Sequence, residues 1–166
     1  LTFALGSTSV TNLNGVHADL VRVVRRAIEI SPVDFQVFEG TRTRERQTRL
    51  VASGASQTMD SRHIPGADGF GHAVDLVPVV DLDGDGKGEL RWDWPLCYKV
   101  AWAVRRASME LGVPVRWGGC WDKALADLDD DDVEHESAGY VARRKAVGKK
   151  AFLDGPHFEL PAAVYP

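Results

Sequence analysis

Gly71-His72-Ala73-Val74-Asp75-Leu76-Val77-Pro78-Val79-Val80 is a valine-rich run that reads as a β-strand, followed by the polar turn Asp81 to Gly88. Side chains alternate across a sheet, so Ala73, Asp75 and Val77 share one face while His72, Val74 and Leu76 share the other. Upstream, Leu20, Val23, Val24, Ala27 and Ile28 recur at helical spacing and predict a helix from about His17 to Ile30, ended by Ser31-Pro32. Phe35 to Phe38 alternates as a short strand ending at Glu39-Gly40, and a second helix follows Thr43 and stops at Gly54. Downstream, Pro95 suits the first turn of a helix that reaches Leu111 and closes at Gly112. Val113 to Trp117 then reads as a strand, Ser137 to Val147 as a helix and Pro156 to Leu160 as a terminal strand. Strands and helices are interspersed without a regular strand-helix-strand repeat. The expectation is an α+β fold, a single domain over residues 1–166 with a mainly antiparallel sheet flanked by helices.

Composition narrows the function classes. Of 166 residues 44% are hydrophobic and 27% charged, with no apolar run near the ~20 residues that a membrane-spanning helix needs. Membrane insertion is not expected. The net charge of −4 comprises arginines at 42, 44, 46 and 49, a basic cluster from Arg143 to Lys150 and the acidic run Asp127 to Glu136, a balance that does not suggest nucleic-acid binding. Cys97 and Cys120 are too few for a disulfide framework and wrong for a cysteine zinc site, so both read as free thiols. Leu1 to Val10 lacks the basic start and apolar stretch of a secretory signal, so export calls for another route.

Metal-capable groups concentrate in two segments, Ser61-Arg62-His63 through His72-Ala73-Val74-Asp75, and Asp154-Gly155-Pro156-His157-Phe158-Glu159. A catalytic zinc takes three nitrogen or oxygen ligands and keeps one position open, which two histidines and one aspartate satisfy. Parity turns His72 and Asp75 apart, while His157 and Glu159 share a face, so Glu159 suits a role of orienting the site. Asp154 lies in the turn entering the last strand, three residues before His157, where a carboxylate can reach the attacking water as general base.

These segments resemble the zinc D-alanyl-D-alanine carboxypeptidases and L-alanyl-D-glutamate endopeptidases, a family that includes many phage endolysins. The family pattern is Ser-x-His-x-x-Gly-x-Ala-x-Asp, followed later by an acidic residue, two residues and His. The resemblance implies one zinc ion on His63, Asp75 and His157, with Asp154 as base. It extends to Glu39-Gly40-Thr41-Arg42 with Gln47, which implies Arg42 as the electrostatic stabiliser near substrate, and to Trp117-Gly118-Gly119-Cys120-Trp121, a segment of the endopeptidase branch. Arg42, Gln47, Ser61, Trp117 and Trp121 are the expected substrate-binding residues, with Glu159 behind the ligands and His72 either there or a packing residue. The fold implied is that shared with the hedgehog signalling domain. One departure stands out: the family's histidine precedes its aspartate by seven residues, whereas His63 precedes Asp75 by twelve, and Asp68 occupies the seven-residue position. Pro65 to Phe70 carries turn signals and reads as a five-residue loop insertion; Asp68 as ligand is the alternative.

The implied activity is hydrolysis of peptidoglycan stem peptides at the L-alanyl-D-glutamate bond by a monomer, made in the host cytoplasm and released to the cell wall during phage lysis. The alternatives are a D-alanyl-D-alanine carboxypeptidase and a non-catalytic zinc-containing wall-binding domain. Other signals have plainer readings. Asp81-Leu82-Asp83-Gly84-Asp85-Gly86 matches the opening of a calcium loop, but Trp92 stands where the twelfth-position carboxylate belongs, so a polar turn that binds calcium weakly or not at all is expected. The run Asp127 to Asp132 reads as a solvated loop, Arg44, Arg46 and Arg49 as the exposed side of a helix, and His17 and His135 as surface residues.

Overall fold

The structure is a computed structural model that describes residues 1–166. Its elements in order are α1 (Ser7–Asn12), α2 (Ala18–Ile30), β1 (Asp34–Glu39), α3 (Arg44–Ala52), β2 (Ala73–Val80), β3 (Glu89–Leu90), α4 (Trp94–Leu111), β4 (Arg116–Trp117), β5 (Cys120–Ala124), a single 3₁₀ turn (Leu125–Asp127), α5 (Val133–Ala146) and β6 (His157–Glu159). The strands form one sheet in the order β1-β2-β6-β4-β5, with β3 pairing the far end of β2, and every pairing is antiparallel. The α+β expectation is thereby met.

The helices begin and end for local reasons. The Thr43 hydroxyl accepts from the Arg46 amide at the start of α3, and Gly112 closes α4 at φ 65°, a left-handed conformation that costs glycine least. The last helix starts at Val133, earlier than the Ser137 expected, because the Asp132 carboxylate accepts from the His135 amide and Glu134 and Glu136 favour the positive helix end. The aspartates of the run Asp127 to Asp132 are exposed on an irregular segment, as expected, and Leu128 alone within it is buried. Arg105, buried in α4, pairs with Asp131 and donates to the Leu128 carbonyl, and Leu125, Leu128 and Val133 enter the core. The short helix α1 carries too little apolar pattern to be read from sequence. It covers the edge of β1, where Ser9 accepts from the Val37 amide and Asn12 donates to the Val37 carbonyl at 2.9 Å.

A cluster of 26 buried residues fills the space between one sheet face and the helices α2 and α4. Leu20, Val23, Val24, Ala27 and Ile28 of α2 face it, and full burial of each larger aliphatic side chain is worth ~1.5–3 kcal/mol. Register assigns the other face. Asp75 pairs with His157, Ala73 with Glu159, and Arg116 with Glu159, while Val74, Phe158 and Trp117 lie between them on the core side. In β1 a bulge at Phe38 puts Glu39, rather than Phe38, opposite Asp75. Such an extra residue re-aims the side chains beyond it, here adding Glu39 to the polar face.

Candidate metal centre

His63 reaches this face from a loop rather than a strand. Its carbonyl accepts from the Arg42 amide at 2.8 Å, and the Arg62 carbonyl accepts from the His72 amide at 2.7 Å, so the loop is tied to β2 and to the segment after β1. The extra residues between His63 and Asp75 form a closed excursion: Gly66 donates to the Phe70 carbonyl, and Asp68 accepts from the Phe70 amide at 3.0 Å and from His72 Nε2 at 2.7 Å. Asp68 is thus held by His72 away from the other carboxylates. The structure brings His63, not Asp68, to Asp75 and His157. Of the two roles expected for His72, the structure selects packing over a place behind the ligands: it is buried beside His17 and Tyr165 on the opposite side of β2. His17, expected at the surface, accepts from the Asp19 amide at the start of α2.

His63 Nε2, His157 Nδ1 and Asp75 Oδ1 form a near-equilateral triangle with sides of 3.3, 3.4 and 3.4 Å. Donors of a tetrahedral ion with bonds of ~2.0–2.1 Å stand about 3.3–3.4 Å apart, so the triangle has the size of one zinc face. The tautomers agree with that use. His63 Nδ1 lies 2.7 Å from the Gly40 carbonyl, which can only accept, so Nδ1 carries the proton and Nε2 presents a lone pair. His157 Nε2 donates to Glu159 Oε2 at 2.8 Å, leaving Nδ1 for the triangle. The Gly40 position admits no side chain, since a Cβ there would overlap the Asn12 carbonyl oxygen.

Electrostatics sharpen the picture. Burial opposes ionisation of Asp75, yet hydrogen bonds from His157 and His63 and their charges hold its carboxyl far below the usual carboxylate range. Burial likewise opposes charge on His157, but Asp75 and Glu159 outweigh it and raise that imidazole to about 9. Glu159 is lowered by the same contact against its own burial. Asp154 behaves in the opposite way: burial pushes its carboxyl up, with Asp75 adding to the shift and His157 opposing it.

The triangle opens into a cavity of about 900 Å³ whose wall includes Arg42, Arg46, Ser61, Arg116, Trp121, Phe152 and Asp154. Asp154 accepts no hydrogen bond through its carboxylate and is pinned by its backbone, its amide donating to Gly118 at 2.9 Å while its carbonyl accepts from His157 at 3.2 Å. Arg42 grips Glu39 with two parallel hydrogen bonds of 2.9 and 2.8 Å, and its Nη2 stands 3.7 Å from Asp75. Arg46, expected on the exposed side of its helix, also turns to Glu39, at 2.6 Å, and lines the cavity. Sequence reasoning missed Glu39 as the shared partner of both arginines, because the bulge that aims it has no sequence signal of its own.

Two expected substrate contacts are corrected. Trp117 is fully buried on the core face among Trp94 and Tyr98, and its indole N–H donates to the Gly155 carbonyl at 2.7 Å. Gln47 is fully buried too, accepting from Arg42 Nη1 at 2.8 Å and donating to Ser56. Both act on cavity residues from behind. Trp121 does line the cavity, its ring 5.3 Å from that of His157. Away from the cavity, Asp81 turns its carboxylate onto its own loop, accepting from the Gly84 and Gly86 amides, and Trp92 stacks edge-on against Phe38.

The sequence model of the phage L-alanyl-D-glutamate peptidase family matches residues 1–161. The L-alanyl-D-glutamate peptidase of Escherichia phage T5 is 33% identical over 164 residues, spanning 96% of this chain and 99% of that protein. The crystal structure of the Serratia marcescens L-Ala D-Glu endopeptidase ChiX matches with a TM-score of 0.69 and 36% identity, over 99% of this chain and 95% of that one.

Proposed function

The chain belongs to the phage L-alanyl-D-glutamate peptidase family, and we propose that it cuts the L-alanyl-D-glutamate bond of peptidoglycan with one zinc ion held by His63, Asp75 and His157 and with Asp154 as general base. It is an enzyme of the endolysin type, a peptidoglycan hydrolase of phage lysis. The observation that carries the zinc assignment is the donor triangle of 3.3–3.4 Å, whose histidines each have the remote ring nitrogen tied to an acceptor.

A zinc ion bound there supplies Lewis acidity, which polarises the scissile carbonyl and makes a water acidic enough to attack near neutral pH. The chain's own groups do the rest. Asp154 takes the proton of the attacking water on a carboxylate oxygen and passes it to the leaving amine nitrogen. Its raised carboxyl, a consequence of burial, brings its basicity closer to working pH. Arg42, fixed by Glu39 and Gln47, offers positive charge beside Asp75, where the oxyanion of the tetrahedral intermediate develops. Glu159 keeps the His157 ring in its ligand tautomer, and Ser61 and Trp121 stand on the wall that the substrate meets.

No helix is long and apolar enough to cross a membrane. We take the chain to act as a single domain over residues 1–166, as a monomer that is released from the host cytoplasm to the wall at lysis. The deciding experiment is digestion of purified peptidoglycan by the zinc-loaded protein. New alanine carboxyl and glutamate amino termini are expected in equal amount; free D-alanine alone would select carboxypeptidase chemistry instead.

A further inference from the structure

Four arginines line the cavity, Arg42, Arg46, Arg62 and Arg116, and three of them are committed to the protein. Arg42 donates to Glu39 and Gln47, Arg46 to Glu39, and Arg62 to the Leu160 and Tyr165 carbonyls. Arg116 makes an ion pair with Glu159, and its side chain donates no hydrogen bond within normal geometry. Its Nη2 stands 3.2 Å from Glu159 Oε1 outside hydrogen-bonding geometry, its Nε is buried without an acceptor, and its side chain is 38% exposed. The neighbouring indole N–H of Trp121 is also buried and unpartnered. Arg116 is thus held by one ion pair and no hydrogen bond, and its terminal Nη1 and Nη2 groups keep donors for a two-oxygen acceptor in the cavity.

Its position fits one group of the substrate. The Arg116 guanidinium lies 5.5 Å from the centre of the Trp121 ring, and the His157 ring lies 5.3 Å from the same ring, so Arg116 and the metal-capable triangle share one indole as a neighbour. Asp154, the group that hands a proton to the leaving amine, is bonded through its backbone to Gly118, two residues beyond Arg116 on the same hairpin. The leaving amine of an alanyl-glutamate bond belongs to a glutamyl residue. Glutamate has two carboxyl groups, and when one continues the peptide the other stays as a free anion a few bonds from the scissile nitrogen.

We propose that Arg116 receives this free glutamyl carboxylate and thereby sets the enzyme's preference for substrates in which it is ionised over those in which it is capped as an amide. The proposal rests on the endopeptidase reading above. A carboxamide presents one acceptor and no charge, so it forfeits the bidentate, charge-assisted pair.

The test compares two synthetic alanyl-glutamyl stem peptides, one with the free carboxylate and one with the carboxamide, cleaved by wild type, Arg116→Gln and Arg116→Lys. Wild type should favour the carboxylate by about tenfold to a hundredfold in kcat/KM, mostly through KM, the range of one charged hydrogen-bonded contact. Arg116→Gln should abolish this preference by losing the carboxylate peptide alone, and Arg116→Lys should keep part of it. The ratio of two substrates on one preparation is independent of the fraction of active protein, so poor folding cannot imitate the result. Equal loss on both peptides in Arg116→Gln, or no preference in wild type, would overturn the assignment while leaving the endopeptidase reading intact. Failure of wild type to cut either peptide or peptidoglycan would overturn that reading, and this one with it.

Discussion

Gly118 and Asp154 are locked backbone to backbone: the Asp154 amide donates to the Gly118 carbonyl at 2.9 Å, and a Cβ on Gly118 would overlap the Asp154 carbonyl oxygen. Gly118→Ala must therefore displace the turn that aims Asp154. Because a displacement near 1 Å can cost about 10²-fold in rate, hydrolysis should fall by that order while zinc content, measured by atomic absorption, stays at one per chain. Full activity in the variant would show that the turn does not position the base.

Asp154→Asn removes basicity at constant size. Hydrolysis of peptidoglycan should drop about 10²- to 10⁴-fold with zinc retained. In the metal-free, EDTA-treated protein the same change should raise the melting temperature at pH 7. Burial raises the Asp154 carboxyl in the folded chain, so folding disfavours its charged form; that penalty is absent below the unfolded pKa, grows as pH rises from there and is complete above the folded one. No stabilisation at pH 7 would sink this linkage argument, whatever the rate.

Zinc titration separates the two ligand sets that the sequence allowed. His63→Ala and His157→Ala should each abolish tight binding, and Asp68→Ala should leave it unchanged, since Asp68 is held by His72. Loss of zinc in Asp68→Ala alone would reverse the assignment.

In the metal-free protein His157 is raised to about 9, so its ion pairs stabilise the fold fully below pH ~6.5 and are lost as pH climbs through about 9. The melting temperature of EDTA-treated protein should fall across that interval. Zinc needs the Nδ1 lone pair, so its affinity should rise over the same interval, with proton release near pH 7. Calorimetry in buffers of different ionisation enthalpy measures that proton, and its absence would count against His157 as a ligand.

Trp117→Phe tests the reassignment of that indole to the core. The Gly155 carbonyl loses its buried donor, which should lower unfolding stability in urea by about 1–3 kcal/mol. KM for the stem peptide should stay unchanged, whereas a large KM increase at constant stability would return Trp117 to the substrate.

By itself the sequence determined the longer helices, the strands β1, β2, β4 and β6, and the candidate ligands and base. Helical spacing marked α2 and α4, period-two alternation placed Asp75 and His157 on faces that can meet, and the order of the two metal-capable segments with Trp-Gly-Gly-Cys-Trp was specific enough to name the family before any geometry. Such patterns are local, set by periodicities along the chain, and need no partner to be read. Only the tertiary structure decided which members of each motif face the cavity. Cross-strand register, set by pairings between residues up to 86 positions apart such as Ala73 with Glu159, sent Trp117 to the core and Arg116 to the site. The bulge at Phe38 turned Glu39 toward Arg42 and Arg46, and the hydrogen bonds that close the loop around Asp68 let His63 reach Asp75 across twelve positions. Each outcome depends on where distant backbone groups find their hydrogen-bond partners, a constraint satisfied only by the whole folded chain.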